Sequence, residues 1–197
     1  DTNVVSLAGG SLGGKGRGLA FINTLLYSFE LGRLVQDIMI KSPVTLIIGT
    51  EEFDLFMDRN HLWEKVNENI DFKKLQKLFI EGSLSYTLEK KLRVLTKQLL
   101  KPLAVRSSSL FEDSATQPFS GVFGTYLLPN NHPDQEIRMK QLTHAIKLVF
   151  CSIYSPESRS FFEAINIKIE LEKMAVVLQT VVGNQYENVF YPHISGT

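Results

Sequence analysis

The chain has 197 residues, of which 44% are hydrophobic and 21% charged, and its 21 basic residues balance its 21 acidic ones. This composition supplies a packed core and excludes global disorder, while the lack of a long basic run excludes an extended nucleic-acid-binding surface. The single cysteine, Cys151, cannot form an internal disulfide, and no apolar stretch reaches the roughly 20 residues that span a bilayer. We therefore expect a cytoplasmic protein without nucleic-acid or membrane partners, in which Cys151 is a small buried hydrophobe.

The first landmark in the chain is a glycine-rich segment over residues 9–16, with five glycines and Lys15. Glycines permit φ above zero, so exposed backbone N–H groups, the start of a helix and a lysine are expected to meet at one place that suits a phosphate. The spacing matches a P-loop up to Lys15, but Gly16 stands where a P-loop needs Ser or Thr for magnesium. A flexible lead-in with an exposed lysine is the alternative.

The predicted elements follow from apolar periodicity and from Gly and Pro punctuation. The helix after the glycines has a predicted apolar face of Leu19, Ile22, Leu25, Leu26 and Phe29, with Gly32 as its stop. Next come a strand over 44–48, helices over 51–57, 72–79 and 84–99, a strand over 103–105 and a polar loop over 106–121. A strand over 125–128, helices over 142–149 and 158–164, and strands over 174–182 and 189–192 complete the chain. Without regular βαβ alternation, the pattern predicts an α+β fold with a mixed or largely antiparallel sheet flanked by helices.

The second segment of chemical interest is the strand that delivers Arg106 to its end, directly followed by Ser107 and two further serines. A guanidinium is a rigid fork of donors that suits phosphate oxygens, and the serine hydroxyls add hydrogen bonds or cap a turn. Glu112 and Asp113 are candidate ion-pair partners of Arg106 or Lys15 when no nucleotide is bound. An ordinary strand-to-turn junction with a surface salt bridge is the alternative.

Two later segments complete the set of candidate site residues. Gly121 and Gly124, with Thr125, form either a mobile lid over phosphates or a plain hairpin turn. The strand that ends near Gln179 is either a core strand or the wall of an adenine pocket. In a pocket, the Gln179 side chain or carbonyl faces the exocyclic amine and the Val181 N–H faces a ring nitrogen. The four histidines show no metal-ligand spacing, so no metal site is predicted within this chain.

Taken in this order, the segments resemble the N-terminal nucleotide-binding domain of the phosphoenolpyruvate synthase and pyruvate, phosphate dikinase family. The matching residues are 12–15 at the start of the helix, 104–108 with Glu112 and Asp113, 119–121 leading to 125–127, then 176–179 and 190–192. The resemblance covers nearly the whole chain and implies a truncated N-terminal portion of an ATP-grasp-like domain. That portion is either one unit or two subdomains over about 1–100 and 101–197.

The resemblance implies an enzyme that binds Mg-ATP and transfers a phosphoryl group to a histidine on a swivelling domain, for making phosphoenolpyruvate from pyruvate. By position, the expected catalytic residues are Lys15 and Arg106, both on the ATP phosphates. The other expected nucleotide-binding residues are Ser107, Gly121, Gly124, Thr125, Gln179 and Val181. Magnesium ligands, the phosphohistidine domain and the pyruvate/phosphoenolpyruvate domain are expected beyond Thr197. The isolated piece is then inactive and binds ATP weakly at best, and the full-length protein is expected to be a homo-oligomer.

The sequence also departs from the family pattern. Leu110 and Phe111 replace smaller residues, and Gly16 and Arg17 stand where many relatives carry a polar pair. The final acceptor therefore stays open, since related enzymes phosphorylate glucans, antibiotics or water. Two other hypotheses are a non-catalytic nucleotide-binding or regulatory module and, less favoured because of Gly16, a degenerate P-loop NTPase.

Overall fold

A computed structural model describes residues 3–29, 40–68, 70–109 and 121–196 of the chain. Its strands are β1 (Val4–Ala8), β2 (Thr45–Ile48), β3 (Leu103–Ser108), β4 (Thr125–Leu128), β5 (Ala175–Thr180), β6 (Asn184–Tyr186) and β7 (Val189–Tyr191). Its α-helices are α1 (Gly13–Ser28), α2 (Thr50–Arg59), α3 (Leu62–Lys65), α4 (Phe72–Glu81), α5 (Tyr86–Gln98), α6 (Gln135–Cys151) and α7 (Pro156–Ala164). Short 3-10 helices cover Ser152–Tyr154 and Ile169–Leu171.

The five longer strands form one mixed sheet in the order β1-β2-β5-β3-β4. β1 and β2 are parallel, and all other neighbours in this sheet are antiparallel. β6 and β7 form a separate antiparallel hairpin. The predicted α+β fold with a mixed sheet is therefore confirmed. Because β5 lies between β2 and β3, the sheet combines strands from both halves of the chain, and the division into two subdomains stays a prediction.

One face of the sheet carries the hydrophobic core. Side chains alternate along a strand, so Leu103 and Val105 of β3 share a face with Val176 and Leu178 of β5. All four are buried, and helices α2, α5 and α6 contact this sheet. Phe150 of α6 lies edge-on to Phe53 of α2 with ring centroids 5.4 Å apart, and this aromatic cluster joins the two helices. Cys151, at the end of α6, is fully buried as predicted.

The opposite face carries Arg106, Ser108 and Gln179, together with Ile47 of β2. Helix α1 packs on this face, because a Cβ added at Gly16 would lie 3.3 Å from Cδ1 of Ile47. The sheet thus has a core face under several helices and a second face that α1 covers in part.

The predicted apolar face of α1 is only partly buried, since Leu19, Leu25 and Leu26 are half-buried. Ile22 and Phe29 are 52% and 65% exposed, whereas the buried residues of α1 are Gly13, Gly16 and Asn23. The helix approaches the sheet through Gly13 and Gly16, which brings its backbone close to the strands. Gly32, the predicted stop, lies outside the described residues, and α1 ends at Ser28.

The remaining predicted elements are found with shifted boundaries. β3 continues through Arg106, Ser107 and Ser108, so the predicted start of the polar loop at Arg106 is wrong. Pairing with β4 and β5 holds these residues in the ladder despite their polarity. β1, α3 and β6 were not predicted, because each is short and has little apolar periodicity. In the part of the chain that the structure describes, no helix combines the length and apolar character needed to cross a membrane.

Candidate functional site

The glycine-rich segment connects β1 to α1 and lies against the end of β3. Gly13 has φ of +69°, and a Cβ at this position would lie 1.8 Å from the carbonyl oxygen of Ser108. On the other side of the loop, a Cβ at Gly9 would lie 2.1 Å from Oε2 of Glu51, at the start of α2. Close packing of the loop against the β3 backbone therefore requires glycine at position 13, whereas the Glu51 carboxylate near Gly9 is the end of a flexible side chain and can move aside.

The Ser108 hydroxyl bridges the first turn of α1. It accepts a hydrogen bond from the Gly16 N–H at 2.9 Å and donates one to the Leu12 carbonyl at 2.8 Å, so it is inserted where the helix would bond Gly16 to Leu12 directly. The Gly14 N–H donates to the Ser109 carbonyl at 2.9 Å. These N–H groups, expected from the sequence to be exposed for an anion, are thus engaged by β3 and the residue after it.

This bridge brings two candidate motifs to one place. Lys15 follows Gly14 in the turn that is bonded to the end of β3, and it is half-buried. Arg106 lies two residues before Ser108 on β3. Because side chains alternate along a strand, Arg106 and Ser108 both lie on the face where α1 packs. Arg106 is also half-buried. The two predicted cations therefore belong to elements that are directly hydrogen-bonded to each other on one face of the sheet.

A second contact joins Arg106 to Gln179 of the neighbouring strand. Nη1 of Arg106 donates to Oε1 of Gln179 at 3.3 Å, and Nε2 of Gln179 donates to Oγ1 of Thr45 at 3.1 Å. The Thr45 hydroxyl in turn donates to the Pro43 carbonyl at 3.0 Å, and Thr45 is fully buried. Three strands, β2, β5 and β3, thus hold one chain of hydrogen bonds that ends on the guanidinium.

The segment before β4 forms the margin of this face. Thr125 is the register partner of Arg106 and is exposed. Gly121 is exposed with φ of +83° and open space around it, and the Gly124 carbonyl accepts a hydrogen bond from the Ser107 N–H at 3.4 Å. The Ser107 side chain is buried on the core face, since it alternates with Arg106.

Val181 follows β5, and its N–H donates to the Pro102 carbonyl at 2.9 Å. A hydrogen bond from this N–H to a base would therefore require it to leave the Pro102 carbonyl.

Tyr126 of β4 lies on the core face of the sheet, and burial raises the pKa of its phenol. Glu112 and Asp113, the predicted ion-pair partners, lie outside the described residues.

The sequence did not identify two side chains that organise the site. Thr45 carries no motif signal, because its role depends on the pairing of β2 with β5. Ser108 belongs to the run of serines after Arg106, but its bridge to α1 depends on how the helix packs against β3. Within the four described ranges, no group of three or more His, Cys, Asp or Glu side chains is arranged to hold a metal ion.

Comparison with known proteins shows which family this chain matches. The family model described as "Pyruvate phosphate dikinase, AMP/ATP-binding domain" matches residues 10–197. A protein of Bacillus subtilis (strain 168), described as "Uncharacterized phosphotransferase YvkC", is 28% identical over 152 residues, which cover 76% of this chain. The chain spans 17% of the length of that relative.

Proposed function

The chain belongs to the family of pyruvate phosphate dikinase AMP/ATP-binding domains, and on this premise we propose that it holds ATP on the sheet face that carries Arg106 and Gln179. Lys15 and Arg106 contact the phosphates. The segment from Gly121 through Gly124 to Thr125 covers them.

The observation that supports this proposal best is the convergence of separate motifs on one end of one face. The first turn of α1 is bonded to Ser108 and Ser109, while Arg106 is held by Gln179 on the neighbouring strand. A half-buried guanidinium at an exposed margin can meet a phosphate without the full desolvation cost of a buried charge. Phosphoryl transfer depends on such positioning and charge neutralisation more than on covalent chemistry by the protein.

The base is proposed to lie at the end of β5, framed by Gln179 and Val181. Gln179 is paired with Thr45 and Ala104 in the sheet and its side-chain amide is bonded to Arg106 and Thr45, so an exocyclic amine would share the backbone carbonyl through its second lone pair. In this arrangement the backbone of Ser107 contacts the nucleotide, because its side chain faces the core.

Magnesium does not fit the described residues, which contain no cluster of carboxylates able to hold it. We therefore propose that the magnesium ligands belong to another part of the polypeptide.

We propose the phosphoryl acceptor and the product from the family to which the chain belongs. The ATP phosphoryl group passes to a histidine of another domain of the same polypeptide and then serves to make phosphoenolpyruvate from pyruvate. The full-length protein is proposed to be cytoplasmic and homo-oligomeric, and the 197-residue chain to be inactive alone. The relative's printed description as a phosphotransferase supports the transfer reaction but names no acceptor.

The two other hypotheses gain less support. A degenerate P-loop NTPase would agree with the order β1, glycine-rich loop, α1. However, the N–H groups of Gly14 and Gly16 are bonded to protein acceptors, so these two donors are not presented to a phosphate as they would be in a P-loop. A non-catalytic binding module would keep the same cations, and only an assay for transfer separates it from the enzyme.

The test is calorimetric titration of the full-length protein with Mg-ATP, comparing wild type with Arg106→Ala. Loss of a charge-assisted hydrogen bond costs about 1.5–3 kcal/mol, so the affinity is expected to fall roughly ten- to hundredfold. Arg93→Ala is the matched control, because Arg93 is an exposed arginine of α5 that pairs with Glu136. Unchanged affinity in Arg106→Ala would remove this residue from the site. Tight binding without any acid-labile phosphoprotein would favour the non-catalytic module.

A further inference from the structure

The hydrogen-bond chain behind Arg106 has a fixed direction. Thr45 has a single hydroxyl proton, and that proton is donated to the Pro43 carbonyl. Oγ1 of Thr45 must therefore act as the acceptor toward Gln179, which orients the Gln179 amide with Nε2 toward Thr45. Oε1 then faces Arg106, whose guanidinium has donors only. Each donor meets an acceptor in one orientation of the amide, and the reversed amide would break both contacts.

From this chain we infer that Thr45 is a positioning residue, which acts through the Gln179 amide to hold the Arg106 guanidinium in place for an anion. The inference rests on the proposed function and names a residue that touches no ligand. Thr45 is fully buried on β2, and β5 lies between it and Arg106.

The chemistry of the middle residue suits this role. An amide oxygen holds a guanidinium by a hydrogen bond without cancelling its charge, whereas a carboxylate would neutralise it. Arginine has several rotatable bonds, and ordering them before the anion arrives reduces the entropy lost on binding. Gln179 is half-buried and Thr45 is at the base of the chain, so the amide is supported from inside the sheet.

The test uses the full-length protein with two probes, Mg-ATP and inorganic tripolyphosphate, which has no base. Thr45→Val keeps the shape of the side chain and removes the hydroxyl. It is expected to weaken both probes by the same factor, roughly three- to tenfold, as for loss of one net hydrogen bond. Thr45→Ser keeps the hydroxyl and is expected to bind as wild type. Thr180→Val is the matched control, because Thr180 is a buried threonine of β5 on the core face.

A double-mutant cycle separates positioning from general damage. In an Arg106→Ala background, Thr45→Val is expected to cause no further loss of affinity for either probe. A further loss of three- to tenfold there would overturn the inference, as would wild-type affinity in Thr45→Val. Weakening of ATP alone, with tripolyphosphate unchanged, would mean that the Gln179 amide acts on the base, and would also overturn it.

Two further measurements keep the result interpretable. If circular dichroism shows that Thr45→Val does not fold, Gln179→Met replaces it, since methionine keeps the length and removes both polar atoms. Undiminished tripolyphosphate affinity in Gln179→Met would overturn the inference on its own. If the wild type binds neither probe, or if Arg106→Ala has no effect, the proposed ATP site itself fails.

Discussion

Replacement of Gly13 by alanine tests the docking of α1 on the sheet. Gly13 has φ of +69°, and its added Cβ would meet Ser108 at 1.8 Å from the carbonyl oxygen and 2.4 Å from the carbonyl carbon. These are backbone atoms of β3, which pairs with β4 and β5 on its two sides, so they cannot move aside cheaply. The loop must therefore withdraw from β3.

The magnitude follows from what withdrawal breaks. The left-handed conformation costs about 1–2 kcal/mol for alanine. The bonds from Gly14 to Ser109 and from Gly16 to Ser108 are lost, at about 1 kcal/mol each. We expect Gly13→Ala to lower the free energy of unfolding by about 3–4 kcal/mol.

Gly18→Ala in the same helix is the matched control. No atom lies within 4 Å of a Cβ added at Gly18, and the position is an exposed part of the helix interior. Alanine there is expected to raise the free energy of unfolding by about 0.5–1 kcal/mol. Urea unfolding followed by circular dichroism measures both variants against wild type. A Gly13→Ala protein within about 0.5 kcal/mol of wild type, or equal to Gly18→Ala, would refute the docking argument.

Two other predictions concern buried polar groups. Ser108→Ala removes the bridge to α1 and is expected to cost about 1–3 kcal/mol in urea unfolding. Ser158→Ala is the control and is expected to be neutral or stabilising, because the buried Ser158 hydroxyl has no hydrogen-bond partner among the described residues. Equal losses of unfolding free energy in the two variants would contradict the bridge. Burial raises the pKa of Cys151 to about 12, so the native thiol stays protonated at pH 9. It is expected to resist a thiolate-directed reagent such as DTNB, whereas the urea-unfolded chain reacts fully. Rapid reaction of the native protein would contradict this burial.

The regular elements were largely predictable because their signals are local. The strands β2 and β4 are short apolar or β-branched runs bounded by proline or glycine, β5 lies within a longer apolar run, and the helix α5 repeats leucine at helical spacing. The helix α1 was predictable, but the burial of its glycines was not, because it depends on how closely the helix backbone approaches the sheet. Periodicity indicates which side of a helix is apolar, and it does not indicate a contact made by glycines.

The sequence by itself identified Lys15, Arg106 and Gln179 as site candidates and suggested the nucleotide-binding family that the comparisons support. Only the tertiary structure decided that the Arg106 guanidinium contacts the Gln179 amide, that Thr45 supports this amide, and that Ser108 occupies the first turn of α1. The physical reason is the strand order. β5 enters between β2 and β3 from a distant part of the chain, and hydrogen bonds between such neighbours depend on register that no local pattern encodes.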